Sequence, residues 1–124
     1  MRVALITGGM GGLGESISTK MHAAGYRVVV THSPGNTRVK DWLGEHSAAG
    51  RQFSAYGVDV ADIDSCRECV ERVTKDIGPI DILVNNAGIT KDTTFKKMSK
   101  ADWDAVIRTN LGSVFSMNKQ SWTA

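Results

Sequence analysis

The fold is decided by the run Val3-Ala4-Leu5-Ile6-Thr7 and the loop that follows it, Gly8-Gly9-Met10-Gly11-Gly12-Leu13-Gly14. The run is apolar, the loop is mostly glycine, and the stretch Gly12–Ala24 has helical periodicity, so the order predicts a strand, a tight turn and a helix. Glycine lets the backbone approach a pyrophosphate closely, and a helix N-terminus presents unpaired N–H groups with a partial positive charge. We therefore expect a dinucleotide-binding loop. A P-loop NTPase is excluded because no Gly-Lys-Ser/Thr follows.

The rest of the chain repeats the alternation of strand and helix. Strands are predicted at Arg27–Thr31, Gln52–Val60 and Ile80–Asn85. Helices are predicted at Thr37–Ala49 and from the N-cap Asp62 to Ile77. A looser segment at Ile89–Lys100 precedes a last helix, which begins at the N-cap Ser99 and runs towards the end of the chain. Continuous apolar strands separated by helices favour parallel pairing with helices on both faces. We expect one α/β domain over residues 1–124, an open, doubly wound parallel sheet of the Rossmann type that stops after its fourth strand and one more helix.

Composition narrows the function classes. The 124 residues are 41% hydrophobic and carry a formal charge of +2 with the two signs interspersed, which is typical of an ordinary folded domain and predicts neither nucleic acid nor a membrane as partner. No apolar run approaches the roughly 20 residues of a membrane span, and no signal peptide opens the chain, so we expect a cytoplasmic protein. Cys66 and Cys69 form a C-x-x-C inside a predicted helix, and we interpret them as plain thiols with no metal or redox role.

The end of the second strand predicts which dinucleotide is bound. A site for NAD places an Asp or Glu there to bind the ribose hydroxyls, but this chain has Thr31-His32-Ser33. Arg38 and Lys40 follow, and an arginine at this place can pair with a 2′-phosphate. Solvated surface charge is the alternative for both, and it suits Lys40 better than Arg38. We therefore predict NADP(H).

Three motifs, in order, resemble those of the short-chain dehydrogenase/reductases. The cofactor loop T-G-x-x-x-G-x-G is similar to Thr7–Gly14, the Asp-Val near the adenine to Asp59-Val60, and N-N-A-G to Asn85–Gly88. The resemblance implies a set of cofactor-binding residues: Gly8, Met10, Gly11, Gly12, Leu13, Gly14, Ser33, Arg38, Asp59, Val60, Asn86, Ala87, Gly88 and Ile89. It also implies that Asp92 approaches the substrate.

Within that family the chain looks most like the acetoacetyl-CoA reductases, through Gly88–Asp92, Phe95–Met98 and Ala101–Ile107. That resemblance implies NADPH-dependent reduction of acetoacetyl-CoA to (R)-3-hydroxybutyryl-CoA for polyhydroxyalkanoate synthesis. The 3-oxoacyl-ACP reductases of fatty acid synthesis share most of these features and remain the alternative.

Asn110 is the one candidate catalytic residue. The last helix carries an apolar stripe at spacings of three and four residues, Trp103, Val106, Ile107, Leu111, Val114 and Phe115. Asn110 falls inside this stripe, which predicts a buried amide that needs partners, and neighbouring backbone is the alternative to a functional role. The resemblance implies that this Asn holds a water in a proton relay.

The remaining catalytic residues of the resembling family are a Ser and the Tyr and Lys of Y-x-x-x-K. Tyr26 and Tyr56 are each followed four residues later by valine, so we expect the motif beyond position 124 and this chain to be a truncated, cofactor-binding half. The loss of general acid catalysis alone costs about 10²–10⁴-fold, so we expect it to be inactive by itself. The alternative is a catalytically dead nucleotide-binding or self-association module. We also expect a homo-oligomer that buries Ile80–Asn85, which a monodisperse monomer at high concentration would contradict.

The other aromatic and imidazole side chains carry less information. His22 and His46 are predicted to lie on solvated helix faces, and Trp42 and Trp103 to pack within the protein.

Overall fold

The computed structural model describes residues 1–123, and the domain end predicted at Ala124 lies outside them. The strands are β1 (Val3–Ile6), β2 (Arg27–His32), β3 (Ser54–Gly57) and β4 (Ile82–Val84). The helices are α1 (Gly12–Ala23), α2 (Val39–Ala48), α3 (Ile63–Asp76), α4 (Lys100–Val106) and α5 (Ser113–Thr123), with a short 3-10 turn at Phe95–Lys97 and a π-helical segment at Ile107–Gly112.

The four strands form one parallel sheet in the order β3-β2-β1-β4. Ile6 lies opposite Val30 of β2 on one side and Val84 of β4 on the other. All the carboxyl ends therefore lie along one edge of the sheet. Strands β2 and β3 follow on one side of β1, and the chain then crosses back through α3 to place β4 on the other side of β1. Open α/β sheets bind their ligands at such a reversal of strand order. The predicted doubly wound α/β fold is confirmed.

The core has two layers because alternate strand residues point to opposite faces of the sheet. One face carries Leu5 and Val29, which pack against α3 and against Met117 of α5. The other face carries Ile6 and Val30, which pack with residues of α1, α2 and the start of β3. Helices thus cover both faces, as the uninterrupted apolar runs of β1 and β2 indicate.

Several strand and helix ends are as predicted. The Asp62 side chain caps α3 by accepting from the N–H groups of Asp64 and Ser65, and the Ser99 hydroxyl caps α4 by accepting from Asp102. The strand predicted at Gln52–Val60 pairs only over Ser54–Gly57, since the chain then turns into the cleft described below.

Both cysteines are free and buried. Burial raises the pKa of each thiol to about 11, so the thiolate that redox exchange or metal binding needs is scarce. Among residues 1–123 no group of three or more His, Cys, Asp or Glu side chains is placed to hold a metal ion. No helix in the same residues is long and apolar enough to cross a membrane.

The prediction for His46 is wrong. It is 6% exposed and packs in a ring cluster with Trp42, which is buried as predicted. Helix α2 packs on the sheet through the rings of Trp42 and His46. The His46 imidazole is therefore buried, although the sequence of α2 is mostly polar.

The predictions for the last helix are wrong in two respects. The helix is not a single α-helix, because residues 107–112 are π-helical, and its apolar stripe is not core. Trp103 is 48% exposed and Leu111 65%, while the buried contacts of α5 come from Met117 and Ser113. Five of the six stripe side chains are exposed within the described residues: Trp103, Ile107, Leu111, Val114 and Phe115. Among residues 1–123, β4 pairs with β1 on one side and with no strand on the other.

Candidate functional site

The Thr7 hydroxyl joins the end of β1 to the segment after β4. Thr7 is 2% exposed, and its Oγ1 accepts from the backbone N–H groups of Asn86 and Ala87, both at 3.0 Å. The hydroxyl proton points to the Val84 carbonyl at 3.4 Å, and the Thr7 N–H donates to the same carbonyl at 3.0 Å. One side chain therefore sets the spacing between the glycine loop and Asn85–Gly88.

The glycine loop closes on itself and on Asn86. The Nδ2 of Asn86 donates to the Gly8 carbonyl at 3.1 Å, and the Gly8 N–H donates to Thr31 Oγ1 at 3.2 Å. Gly8 has φ +63, in the region that favours glycine. A Cβ on Gly14 would lie 2.1 Å from the Gly8 oxygen and 2.8 Å from Asn86 Nδ2, so only glycine permits this approach.

The start of helix α1 faces open space. A Cβ placed on Gly11, the N-cap, or on Gly12, the first helical residue, would meet no protein atom within 4 Å. No side chain caps this N-terminus, and Leu13 beside it is 70% exposed, whereas Met10 is half-buried against the core. Uncapped N–H groups beside an open cradle are what a pyrophosphate requires, so the residues present fit a dinucleotide.

A cleft of about 280 Å³ opens at the carboxyl edge of the sheet. Its lining comes from the ends of all four strands and from the π-helical segment, and consists of Gly8, Thr31, His32, Ser33, Pro34, Val58, Asp59, Val60, Ala87, Gly88, Ile89 and Thr109. Seven predicted cofactor residues are in that set: Gly8, Ser33, Asp59, Val60, Ala87, Gly88 and Ile89. Asn86 and Gly14 hold the loop behind them.

Among the predicted residues outside the glycine loop, four do not line this cleft: Arg38, Asn86, Asp92 and Asn110. Asp92 is exposed in the loop after Ile89, and Arg38 is exposed at the N-cap of α2, where its N–H donates to Asn36 Oδ1 at 2.8 Å. The side chain of Arg38 is therefore in solvent. It lies at the start of α2, five residues after Ser33 of the cleft lining. No acidic residue stands between Thr31 and Arg38.

Asp59 is held by local hydrogen bonds. Its N–H donates to Ser65 Oγ at 2.9 Å, and its Oδ1 accepts from Ala61 N–H at 3.0 Å. The exposed carboxylate is thereby kept at the cleft wall beside Val60.

Asn110 is exposed, so the prediction of a buried amide is wrong. Its Oδ1 accepts from the Ile89 N–H and its Nδ2 donates to the Ile89 carbonyl, both at 2.8 Å. These bonds satisfy an extended backbone residue of the cleft wall from the π-helical segment, and π-helical turns occur frequently at functional sites. The Asn110 amide is thus satisfied by protein backbone, which was the alternative to a functional role. The same hydrogen bonds hold Asn110 beside the cleft.

Five lining residues are not among the predicted site residues: Thr31, His32, Pro34, Val58 and Thr109. Thr31 has a signal, since it is a hydroxyl at the end of an otherwise apolar strand, where parallel sheets bind ligands. Thr109 has none, because its position depends on the π-helical turn.

The whole described chain matches known proteins. The model of the short chain dehydrogenase family matches residues 2–124. An acetoacetyl-CoA reductase of Cupriavidus necator is 46% identical over 119 residues, which cover 96% of this chain and 48% of that protein. A 3-oxoacyl-[acyl-carrier-protein] reductase of Staphylococcus epidermidis is 38% identical over 113 residues, 91% of this chain and 46% of that protein.

A solved structure shows the same architecture. A short chain dehydrogenase from Burkholderia cenocepacia J2315 in complex with NADP has a TM-score of 0.87 and 32% identity, and the match covers 98% of this chain and 50% of that one. The chain spans about half the length of the curated relatives it matches. The family model matches residues 2–124, and the glycine loop, Asp59-Val60 and Asn85–Gly88 come together at one edge of the sheet, so this chain belongs to the short-chain dehydrogenase family.

Proposed function

We propose that this chain binds NADP(H) at the carboxyl edge of its sheet and is the cofactor-binding part of a 3-oxoacyl thioester reductase. The observation that carries the proposal is the uncapped, open start of α1 at Gly11 and Gly12, braced through Gly14 and Asn86. The NADP complex of the Burkholderia relative supports a nicotinamide cofactor.

Each part of the site has a role toward the cofactor. The N–H groups of Gly12 and Leu13 would bind the pyrophosphate, while the Gly11 N–H donates to the Gly8 carbonyl at 3.4 Å. Asp59 and Val60 would contact the adenine, and Asn86–Ile89 would lie along the nicotinamide ribose. Ser33 and Arg38 would bind the 2′-phosphate, which is favoured because no carboxylate in this turn opposes it. The bound nicotinamide supplies or accepts hydride.

The substrate we propose is acetoacetyl-CoA, reduced to (R)-3-hydroxybutyryl-CoA. The higher identity to the Cupriavidus reductase, 46% against 38% for the acyl-carrier-protein reductase, favours it over the alternative carrier. Asp92 would approach the acyl group from the loop after Ile89. Asn110, which its hydrogen bond to Ile89 keeps beside the cleft, would hold a water of the proton relay.

The 124-residue chain by itself is proposed to bind cofactor without turnover. Neither of its tyrosines is followed by lysine four residues later, so the chain carries no Y-x-x-x-K to donate a proton to the substrate carbonyl. The second candidate function, a nucleotide-binding or self-association module, is favoured by the exposed apolar stripe of α4 and α5.

We also propose that the chain forms a homo-oligomer that covers the open side of β4 and this stripe. Large exposed apolar patches and unpaired sheet edges promote association. Sedimentation should show a dimer or larger species at micromolar concentration, and a monomer at every concentration would contradict this.

Arg38→Ala tests the cofactor proposal. Loss of a charge-assisted contact should weaken NADPH binding by about tenfold and leave NADH binding nearly unchanged, because NADH lacks the 2′-phosphate. Calorimetric titration of both nucleotides against the parent and variant measures this, with Lys40→Ala as the matched control. Equal affinity of the parent for NADH and NADPH, or no effect of Arg38→Ala, would overturn the NADP(H) assignment.

A further inference from the structure

Helices α1 and α2 are joined by a cluster of polar and aromatic side chains. Trp42 and His46 lie on the buried face of α2, and both rings pack on Phe53, with centroids 5.4 and 4.8 Å from it. Both rings also reach Glu15 on α1, whose Oε2 accepts from Trp42 Nε1 at 2.6 Å and from His46 Nε2 at 3.1 Å.

Both ring nitrogens of His46 and the indole N–H of Trp42 have hydrogen-bond partners within the cluster. Arg51 Nε donates to His46 Nδ1 at 2.8 Å, so Nδ1 is the acceptor and the proton of the neutral imidazole is on Nε2, facing Glu15. The hydrogen bonds from His46 and Trp42 hold the pKa of the Glu15 carboxyl below its usual value. Glu15 is therefore a charged acceptor for two N–H donors that are buried and would otherwise lose their partner.

The two ends of the cluster reach the two phosphate-binding regions of the proposed site. Glu15 follows Gly14 directly and its N–H donates to the Gly11 carbonyl at 2.8 Å, in the first turn of α1. The Trp42 N–H donates to the Arg38 carbonyl at 3.0 Å, in the first turn of α2. One carboxylate thus connects the turn proposed for the pyrophosphate to the turn that carries Arg38.

We propose that Glu15 is a positioning residue which, through Trp42 and His46, holds Arg38 at the distance from the glycine loop that the 2′-phosphate requires, and so sets the preference for NADP(H) over NAD(H). This inference rests on the proposed function. Arg38 is exposed and has no wall of the cleft behind it, so its placement depends on how α2 is anchored. Bidentate recognition of a phosphate by arginine is geometrically specific, so a shift of α2 that moves Arg38 weakens it.

Glu15→Ala separates positioning from charge and from general stability. Loss of a negative charge alone would strengthen binding of an anionic phosphate, whereas loss of positioning weakens it. We expect NADPH affinity to fall about fivefold and NADH affinity to change less than about twofold, measured by calorimetry. Glu15→Gln, whose amide oxygen still accepts, should retain most of the preference. Glu45→Ala, which removes an exposed carboxylate from helix α2, should not weaken NADPH binding.

The double variant Glu15→Ala with Arg38→Ala tests whether Glu15 affects NADPH binding through Arg38. If Glu15 acts through Arg38, Glu15→Ala has no further effect on NADPH affinity once Arg38 is gone. If Glu15→Ala fails to fold, Trp42→Phe removes the N–H donor while keeping a ring on Phe53, and it should show the same selective loss. Equal losses for both nucleotides, or none, would overturn the positioning role. Failure of Arg38→Ala itself to affect NADPH would instead overturn the proposed 2′-phosphate site.

Discussion

Gly14→Ala is expected to destabilise the protein by about 3 kcal/mol and to abolish NADPH binding. The added Cβ would lie 2.1 Å from the Gly8 carbonyl oxygen and 2.9 Å from the Gly9 Cα, both of them backbone atoms. Relief requires helix α1 to move away from the loop, which also breaks the contact of Asn86 with Gly8. Urea denaturation measures the stability, and calorimetry the binding.

Gly12→Ala is the matched control, two residues earlier in the same helix. Its Cβ meets no protein atom within 4 Å, so stability should be unchanged or rise by about 0.5 kcal/mol. The methyl group nevertheless enters the space proposed for the pyrophosphate, so NADPH binding should weaken at full stability. A Gly14→Ala variant as stable as the parent, or a Gly12→Ala variant that binds NADPH as the parent does, would contradict this account of the loop.

Thr7→Val should cost about 2–4 kcal/mol of stability, although the two side chains have nearly the same shape. The substitution leaves the Ala87 N–H without its acceptor and removes one of two acceptors of the Asn86 N–H, which also donates to the Val84 carbonyl at 3.1 Å. The lost hydroxyl lies at a position that is 2% exposed. Because no cavity is created, the loss measures hydrogen bonding and not packing. Urea denaturation gives the free energy of unfolding.

Thr7→Ser provides the comparison for that variant. It keeps the hydroxyl and removes one buried methyl group, which costs about 1 kcal/mol. The serine variant should therefore be the more stable of the two and should retain NADPH binding. A valine variant at least as stable as the serine variant would show that the hydroxyl does not brace Asn86 and Ala87.

The parts of the fold that the sequence predicts are those with strong local signals. The apolar runs of β1 and β2, the glycines at Thr7–Gly14 and the caps Asp62 and Ser99 each carry a physical preference that the tertiary structure preserves. The confirmed parallel sheet follows from them.

The failures occur where position depends on partners distant in the chain. His46 is buried because Glu15 and Arg51 satisfy its two ring nitrogens, and Glu15 is 31 residues away in the chain. The apolar stripe around Leu111 has the periodicity of a core helix, yet five of its six side chains are exposed within the described residues. Periodicity identifies an apolar face but not what covers it. The π-helical turn that brings Asn110 to Ile89 has no local signal either.

The measurement that tests the central claim most directly is an NMR titration of the ¹⁵N-labelled 124-residue chain with NADP⁺. Backbone amide resonances at Gly11, Gly12 and Leu13 should shift in a saturable way, together with those of Ser33, Asp59 and Ala87–Ile89 along the cleft. Such a pattern would establish a dinucleotide site at the carboxyl edge of this sheet. No shifts, or shifts confined to another surface such as Phe95–Trp103, would contradict it.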